Sequence, residues 1–274
     1  NCVGQKTSTN GIQEAINYVL NTGGGTVYIK RGDYYFPEVT SSIPNNAVIT
    51  IDLSKFNRVS FEIKGDRYGT RLHLPINKTS GNIWLFTIGI PYSYPPPIIR
   101  DITFVNDINT GTPVGPIVAG GTGGLYMKDL IYLDNPNAEP GISPMYWTWF
   151  NGMYGVLIEG FNFISNNSSV ITSVLVFDSV TYGKVTSCYM VHNMNYGGWQ
   201  GTAISPATGS VMVDDCEIYG FYNAFGWGDS DAPTTLQVSN SIIGTPRGGS
   251  QAPDGNRADV NNLLAGTSPG ATGR

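Results

Sequence analysis

Two adjacent carboxylates beside a thiol are the first candidates for chemistry in this sequence. Asp214 and Asp215 precede Cys216 in the segment VDDCEIYG, which lies within an apolar alternation. A pair of acids on either side of a glycosidic bond can hydrolyse it, one as proton donor and the other as nucleophile or base. Two further acids, Asp229 and Asp231, follow in FGWGDSDAP. These four aspartates are the candidate catalytic residues of a polysaccharide-cleaving enzyme.

The segment around the acid pair recurs along the chain. Six segments share its pattern of apolar and polar positions: IRDITFVN from Ile99, MKDLIYLD from Met127, IEGFNFIS from Ile158, VTSCYMVH from Val185, VDDCEIYG from Val213 and VSNSIIGT from Val238. Their first residues are 28, 31, 27, 28 and 25 residues apart. Short apolar alternations at this interval, joined by Gly-, Pro- and Asn-containing segments without helical periodicity, predict the successive coils of a parallel β-solenoid.

The repeat changes the interpretation of the acid pair. Asp214 and Asp215 occupy two positions that other coils fill with various polar residues, such as Arg100 and Asp101 in the first of the six segments. Such tolerance is typical of an outward strand position or a bend, and acidic pairs mark active sites only in a minority of cases. The sequence therefore favours a structural role for the pair over a catalytic one.

Two ladders of identical side chains are expected from the same alignment. Asparagines recur at one turn position of four coils, as Asn109, Asn137, Asn195 and Asn223. Stacked Asn side chains can hydrogen-bond along the stack, and Asn tolerates left-handed backbone geometry. Cys188 and Cys216 share another position, so we expect them to lie one above the other as reduced, buried thiols.

The start of the chain carries a resemblance to a known family. The segment GIQEAINYVLNTGGGTVYIKRGDYYF from Gly11 is followed by RVSFEIKGDRYGTRLHL from Arg58. Together with the repeat, these segments resemble the pectate-lyase-like branch of the pectin-lyase-like superfamily over roughly residues 10–245. The resemblance implies an all-β, right-handed parallel β-helix with an N-terminal helix that caps the open end of the solenoid. The apolar face of that helix is expected to consist of Ile12, Ala15, Ile16, Val19 and Leu20.

The chain divides into three parts. Residues 1–35 are expected to form the capping helix and first strand, residues 36–245 the β-helix, and residues 246–274 an extended tail rich in Gly, Pro, Ser and Asn. The tail's composition predicts disorder in isolation. An ordered tail must therefore lie against its own solenoid or against a neighbouring subunit.

Aromatic residues are the main indication of a binding surface. Trp199 and Trp227 each follow a Cys of the ladder by eleven residues, which predicts that they stack as a platform for sugar rings. The predicted glycan-binding set is Trp199, Trp227, Tyr196, Gln200, Trp147 and Trp149. A buried loop cluster or a subunit interface is an equal alternative, because Trp and Tyr are enriched there too.

Composition excludes several classes of partner. A net charge of −5 and the absence of any Lys/Arg cluster argue against nucleic acid. No apolar run is long enough for a membrane span. Only two histidines occur, His73 and His192, neither with an evident acid partner, so no histidine metal site is expected. No cofactor is predicted, and Ca²⁺ is the one ion for which stacked acids such as Asp101 and Asp129 offer ligands.

Three functional hypotheses follow. The first is an extracellular, cell-surface or virion-surface β-helix of the tailspike, adhesin or appendage kind. It binds polysaccharide or assembles with its own copies, as a trimer or filament, without turnover. The alternative is a polysaccharide lyase or glycoside hydrolase that acts on an acidic polysaccharide. The third is a purely structural filament subunit, favoured if the tail adds a strand to the next chain. Charged residues make up only 13% of the chain, which suits an extracellular protein.

Overall fold

A computed structural model describes most of the chain. The described residues are 8–56, 58–92, 94–108, 111–134, 146–165, 173–192, 202–206, 209–221, 223–225, 234–244, 257–260 and 263–265. Within them the protein is a right-handed parallel β-helix that begins with one α-helix, as the sequence predicts.

The helix α1 (Ile12–Asn21) covers the first coil. It begins after Gly11, whose φ of 78° is left-handed, and it buries Ile12, Ile16 and Leu20. The side chain of Gln13 makes two hydrogen bonds to the backbone of Thr50, as donor to its carbonyl (2.9 Å) and acceptor from its N–H (2.7 Å). Edge groups that water or another strand would otherwise pair are therefore satisfied by the cap. Among the residues described above, no helix has the length and hydropathy to cross a membrane.

Three parallel sheets form the walls of the solenoid. The first sheet consists of β1 (Gly25–Tyr28), the N-terminal halves of β4 (Phe61–His73) and β7 (Ile98–Asn106), β10 (Gly124–Lys128), β13 (Gly155–Glu159), β16 (Val180–Thr186), β19 (Gly209–Asp214) and β22 (Thr234–Ser239). The second consists of β2 (Gly32–Tyr35), the C-terminal halves of β4 and β7, β11 (Ile131–Asp134), β14 (Asn162–Ser165), β17 (Tyr189–His192), β20 (Glu217–Tyr219) and β23 (Ser241–Gly244). The third consists of β3 (Ala47–Asp52), β6 (Trp84–Ile90), β9 (Gly115–Gly121), β12 (Tyr146–Asn151), β15 (Ser173–Asp178), β18 (Thr202–Pro206) and β21 (Asn223–Phe225).

Smaller elements lie between the sheets. These are the antiparallel pair β5 (Ile76–Asn77) and β8 (Thr112–Pro113) and the single-turn 3₁₀ helices Pro44–Asn46 and Leu53–Lys55.

The strand register confirms the repeat found in the sequence. The first residues of the six segments pair in one continuous row: Ile99, Met127, Ile158, Val185, Val213 and Val238. The fourth residue of each segment points inward and is buried: Ile102, Leu130, Phe161, Cys188, Cys216 and Ser241. One sequence repeat is therefore one coil. Cys188 and Cys216 are free, buried thiols, as expected.

A left-handed residue turns the chain from the first sheet to the second in every coil of the repeat. From the first coil of the repeat to the last, the residue at this position is Asp101, Asp129, Gly160, Ser187, Asp215 and Asn240, with φ between 48° and 66°. Asp, Asn and Gly are the residues that adopt this geometry most readily. A β-carbon on Gly160 would lie 2.6 Å from the Asp129 carboxylate one coil away, so a larger residue at this corner would displace that carboxylate. Asp215 is thus a bend residue, as the repeat predicts.

The tail closes the far end of the solenoid. Strand β24 (Arg257–Val260) pairs antiparallel with β23, and β25 (Leu263–Ala265) pairs antiparallel with β22. Of the two positions expected for an ordered tail, these strands lie on their own solenoid. They cover backbone groups that would otherwise form an open sheet edge.

Deletion of residues 245–274 should raise the mass per particle in light scattering, because the exposed edges of β22 and β23 can then pair with another chain. Deletion of residues 266–274 alone retains both tail strands and is the matched control. A smaller particle after the long deletion would instead make the tail an assembly device.

Candidate functional site

A groove runs along the outer face of the first sheet. It has a volume of about 880 Å³ and crosses β10, β13, β16, β19 and β22. Tyr92, Tyr94 and Pro96, which precede β7, form one wall. Because the coils are in register, the groove crosses the strands and follows the axis of the solenoid.

Three exposed tyrosines form a ladder at one end of the groove. The rings of Tyr92 and Tyr154 have centroids 5.5 Å apart at 87°, and those of Tyr154 and Tyr182 are 5.5 Å apart at 78°. Edge-to-face contacts of this kind are favourable and fix the orientation of each ring. The three residues nevertheless remain 67%, 49% and 57% exposed, so about half or more of each faces solvent. We call Tyr92, Tyr154 and Tyr182 the tyrosine ladder.

Hydroxyl and amide groups continue the groove at its other end. The row that contains Tyr182 proceeds to Ser210 and Thr235 in the next two coils. The adjacent row of lining residues is Ile98, Tyr126, Leu157, Lys184, Met212 and Gln237. The groove therefore changes along its length from an aromatic surface to one that offers hydrogen bonds.

Ion pairs lie beside the groove. Lys128 Nζ donates to Glu159 Oε1 at 2.8 Å, and the Tyr126 hydroxyl donates to Glu159 Oε2 at 2.5 Å. Both hydrogen bonds hold the pKa of the Glu159 carboxyl below its ordinary value, and the bond from Lys128 has the larger effect. Burial raises the pKa of Tyr126, and the Glu159 carboxylate raises it further. Arg100 binds Glu62 and Asp101, at 2.5 and 2.9 Å.

The structure separates the two adjacent aspartates. Asp214 Oδ1 accepts hydrogen bonds from Ser239 Oγ (2.8 Å) and Asn240 Nδ2 (3.0 Å) in the following coil. Asp215 Oδ2 accepts one from Ser187 Oγ (3.0 Å) in the preceding coil. The bonds from Ser239 and Asn240 hold the pKa of Asp214 below its ordinary value, whereas a glycosidase's acid needs a raised pKa. Asp229 and Asp231 lie outside the described residues, so their catalytic role stays a prediction.

The predicted aromatic platform is only partly described. Trp147 is fully buried, with ring centroids 5.3 Å from Tyr132 and 5.8 Å from Phe104, so its assignment to a glycan-binding surface is wrong. Trp149 on the same strand is half-buried. The segment MYWTWF has aromatic residues at both phases of the alternation, so the sequence did not reveal which of them point inward. Residues outside the described part are Trp199, Trp227, Tyr196, Gln200, Asn109, Asn137 and Asn195, and Asn223 is described only as the first residue of β21.

His73 has acid partners that the sequence did not reveal. Its Nδ1 lies 2.8 Å from Asp107 Oδ2 and its Nε2 lies 3.0 Å from Asp33 Oδ1. Tyr35 stacks on the imidazole at 4.0 Å. The two aspartates are 34 and 40 residues away in sequence, on the coils that flank β4, so no local motif could show the cluster.

Two other predictions concern metal ligands and His192. Of the stacked acids expected to offer Ca²⁺ ligands, Asp101 binds Arg100, and Asp129 lies 3.8 Å from Arg67. Over the described part of the chain, no three His, Cys, Asp or Glu side chains are arranged to hold a metal. His192 ends strand β17, where its ring is buried against Phe221.

The tyrosine ladder was missed because its members do not share one position of the repeat. Tyr182 pairs with Gly155 and not with Tyr154, and Tyr92 precedes β7. A search for residues that recur at one register position therefore does not group the three tyrosines.

The chain was also compared with known proteins. No family model matches it, and neither a curated protein nor a solved structure does.

Replacement of Glu159 by Gln should lower the free energy of unfolding at neutral pH by about 0.5 kcal/mol, the size typical of a solvent-screened ion pair. The pKa of Glu159 is lowered in the folded state. The stability that this carboxylate contributes is therefore fully present above its unfolded pKa of about 4.3, and it is lost as pH falls through the pKa of the folded protein. Urea unfolding at several pH values should show that the free energies of unfolding of the original protein and of Glu159→Gln become equal in acid. A difference that grows in acid would contradict the assignment.

Replacement of His73 by Phe should lower the free energy of unfolding by about 2 kcal/mol, because it retains a ring against Tyr35 but removes two hydrogen bonds to carboxylates. Asp33→Asn and Asp107→Asn, which each retain an acceptor oxygen, are the milder controls. An unchanged urea midpoint for His73→Phe would show that the cluster does not stabilise the coils.

Proposed function

We propose that this protein binds an extended polysaccharide in the groove of the first sheet, without cleaving it. The observation that carries the proposal is the tyrosine ladder. Tyr92, Tyr154 and Tyr182 hold one another in place by edge-to-face contacts, while about half or more of each residue stays exposed to solvent. A contiguous exposed apolar surface of this kind is typical of a binding site.

The shape of the groove favours a chain-like ligand. It extends over five strands of the first sheet, and the positions of its floor are in register from coil to coil. A linear polymer can contact such rows with successive units. Sugars suit the change in character along the groove, because a pyranose presents C–H groups on its faces and hydroxyls on its rim. The tyrosines match the former, and Ser210, Thr235 and Gln237 match the latter.

The described acids support binding rather than cleavage. Asp214 and Asp215 bond to different neighbouring coils, and Glu159 is held by Lys128 and Tyr126. Hydrolysis requires two carboxyl groups on either side of one bond, with one kept protonated. Glu159 and Asp214 have lowered pKa values, so neither carboxyl is suited to be the protonated group.

The proposal also includes the setting of the protein. An extracellular or virion-surface location and membership of the pectate-lyase-like superfamily are supported by the parallel β-helix, its helical cap and the low content of charged residues. Fold likeness alone does not identify an activity, so the proposed binding depends on the groove and not on the family.

Tyr154→Ala and Tyr182→Ala should each weaken polysaccharide binding by about tenfold or more, because each removes a stacking surface of the kind that dominates binding energy. Binding is measured on an array of plant, fungal and bacterial polysaccharides and then by calorimetry on those retained. Tyr18→Ala is the matched control, since Tyr18 is 71% exposed on α1, away from the groove. Assays for new reducing ends should detect no cleavage.

Two results would reject the proposal. One is an array on which no polysaccharide is retained. The other is retention that Tyr154→Ala and Tyr182→Ala leave at the level of Tyr18→Ala.

A further inference from the structure

We infer that the groove selects an uncharged polysaccharide and does not bind a polyuronate. This inference rests on the proposed function and adds the chemical class of the ligand. It follows from the distribution of charge in and around the groove.

The lining of the groove is almost free of charge. Among the described residues that line it, Lys184 is the one with an ionised side chain, and none carries a carboxylate. A polyuronate has a carboxylate on every sugar, so successive units would need cations on successive coils. In the row that contains Lys184, the neighbouring coils present Leu157 and Met212 instead.

The charge of Lys184 is itself offset. Its ammonium group lies within electrostatic reach of both Glu159 and Asp214, which occupy the row beside the groove. A sugar carboxylate drawn to Lys184 would therefore meet two like charges. Their repulsion would act against the attraction from a single ammonium.

The other cations near the groove are already engaged. Lys128 binds Glu159, and Arg100 binds Glu62 and Asp101. A polyuronate would have to break these pairs to gain a partner. Binding through a bridging Ca²⁺ is also disfavoured. Ca²⁺ needs several oxygen ligands and prefers carboxylates, and the described residues that line the groove carry no carboxylate.

A neutral glycan meets none of these obstacles. Its C–H faces can cover the tyrosine ladder, and its hydroxyls can reach Ser210, Thr235 and Gln237. Because the rows cross the strands, the chain lies along the solenoid axis and passes a new coil about every 4.8 Å.

The test is calorimetric titration of the full chain with two sets of soluble polysaccharides. Xyloglucan, galactomannan and arabinoxylan are the neutral set, and polygalacturonate and alginate are the acidic set. Each titration is made at low and at high salt, since screening weakens contacts between exposed charges but leaves stacking intact. The variants are Tyr182→Ala, Tyr182→Phe, Lys184→Gln and the control Tyr18→Ala.

We expect at least one neutral polysaccharide to bind with the same affinity at both salt concentrations. Tyr182→Ala should weaken it by about tenfold, and Tyr182→Phe, which keeps the ring, by much less. Lys184→Gln should have a smaller effect than Tyr182→Ala.

Two outcomes overturn the inference in distinguishable ways. If an acidic polysaccharide binds at low salt only, depends on Lys184 and is weakened by Tyr182→Ala, the groove is a glycan site of the opposite charge class. If neither set binds, or Tyr182→Ala equals Tyr18→Ala, the proposed function fails as well. In that case, a particle whose mass falls in light scattering when Tyr182 is replaced by Ala would make the groove a contact between copies of this chain.

Discussion

The structure depends on one constraint, the in-register pairing of parallel strands from coil to coil. Each coil satisfies its backbone N–H and C=O groups mainly through the coils above and below it, so no coil is stable alone. The same register stacks every side chain on its counterpart about 4.8 Å away. An apolar position becomes a buried column, and a bend becomes a column of left-handed residues.

This constraint also explains why polar residues bond to partners that are far away in sequence. Asp214 and Asp215 are adjacent in the chain but join different neighbours, one coil ahead and one behind. His73 is held by aspartates from the two coils that flank its strand. These polar side chains connect coils, whereas the residues of the tyrosine ladder remain exposed.

Much of the fold could be predicted from the sequence, because the periodicity is carried by residues within a single coil. The row from Ile99 to Val238 and the buried thiols of Cys188 and Cys216 follow from it, and the capping helix was expected from the resemblance of the N-terminal segment. The partners of His73 could not be predicted, since they lie on coils 34 and 40 residues away in sequence. Trp147 was misplaced because its strand has aromatic residues at both phases. The groove depends on outward side chains whose types differ from coil to coil, so the repeat carries no signal for it.

The two ends of the solenoid have a further consequence for how such a protein changes over time. A helix closes the first coil and a pair of antiparallel strands closes the last, so neither closure depends on the number of coils between them. Duplication or loss of one internal repeat, such as residues 185–212, would leave both closures intact. It would lengthen or shorten the groove by one coil and so alter how many units the proposed polymer ligand could contact. Under that proposal, the length of the ligand segment can evolve separately from the side chains that contact it.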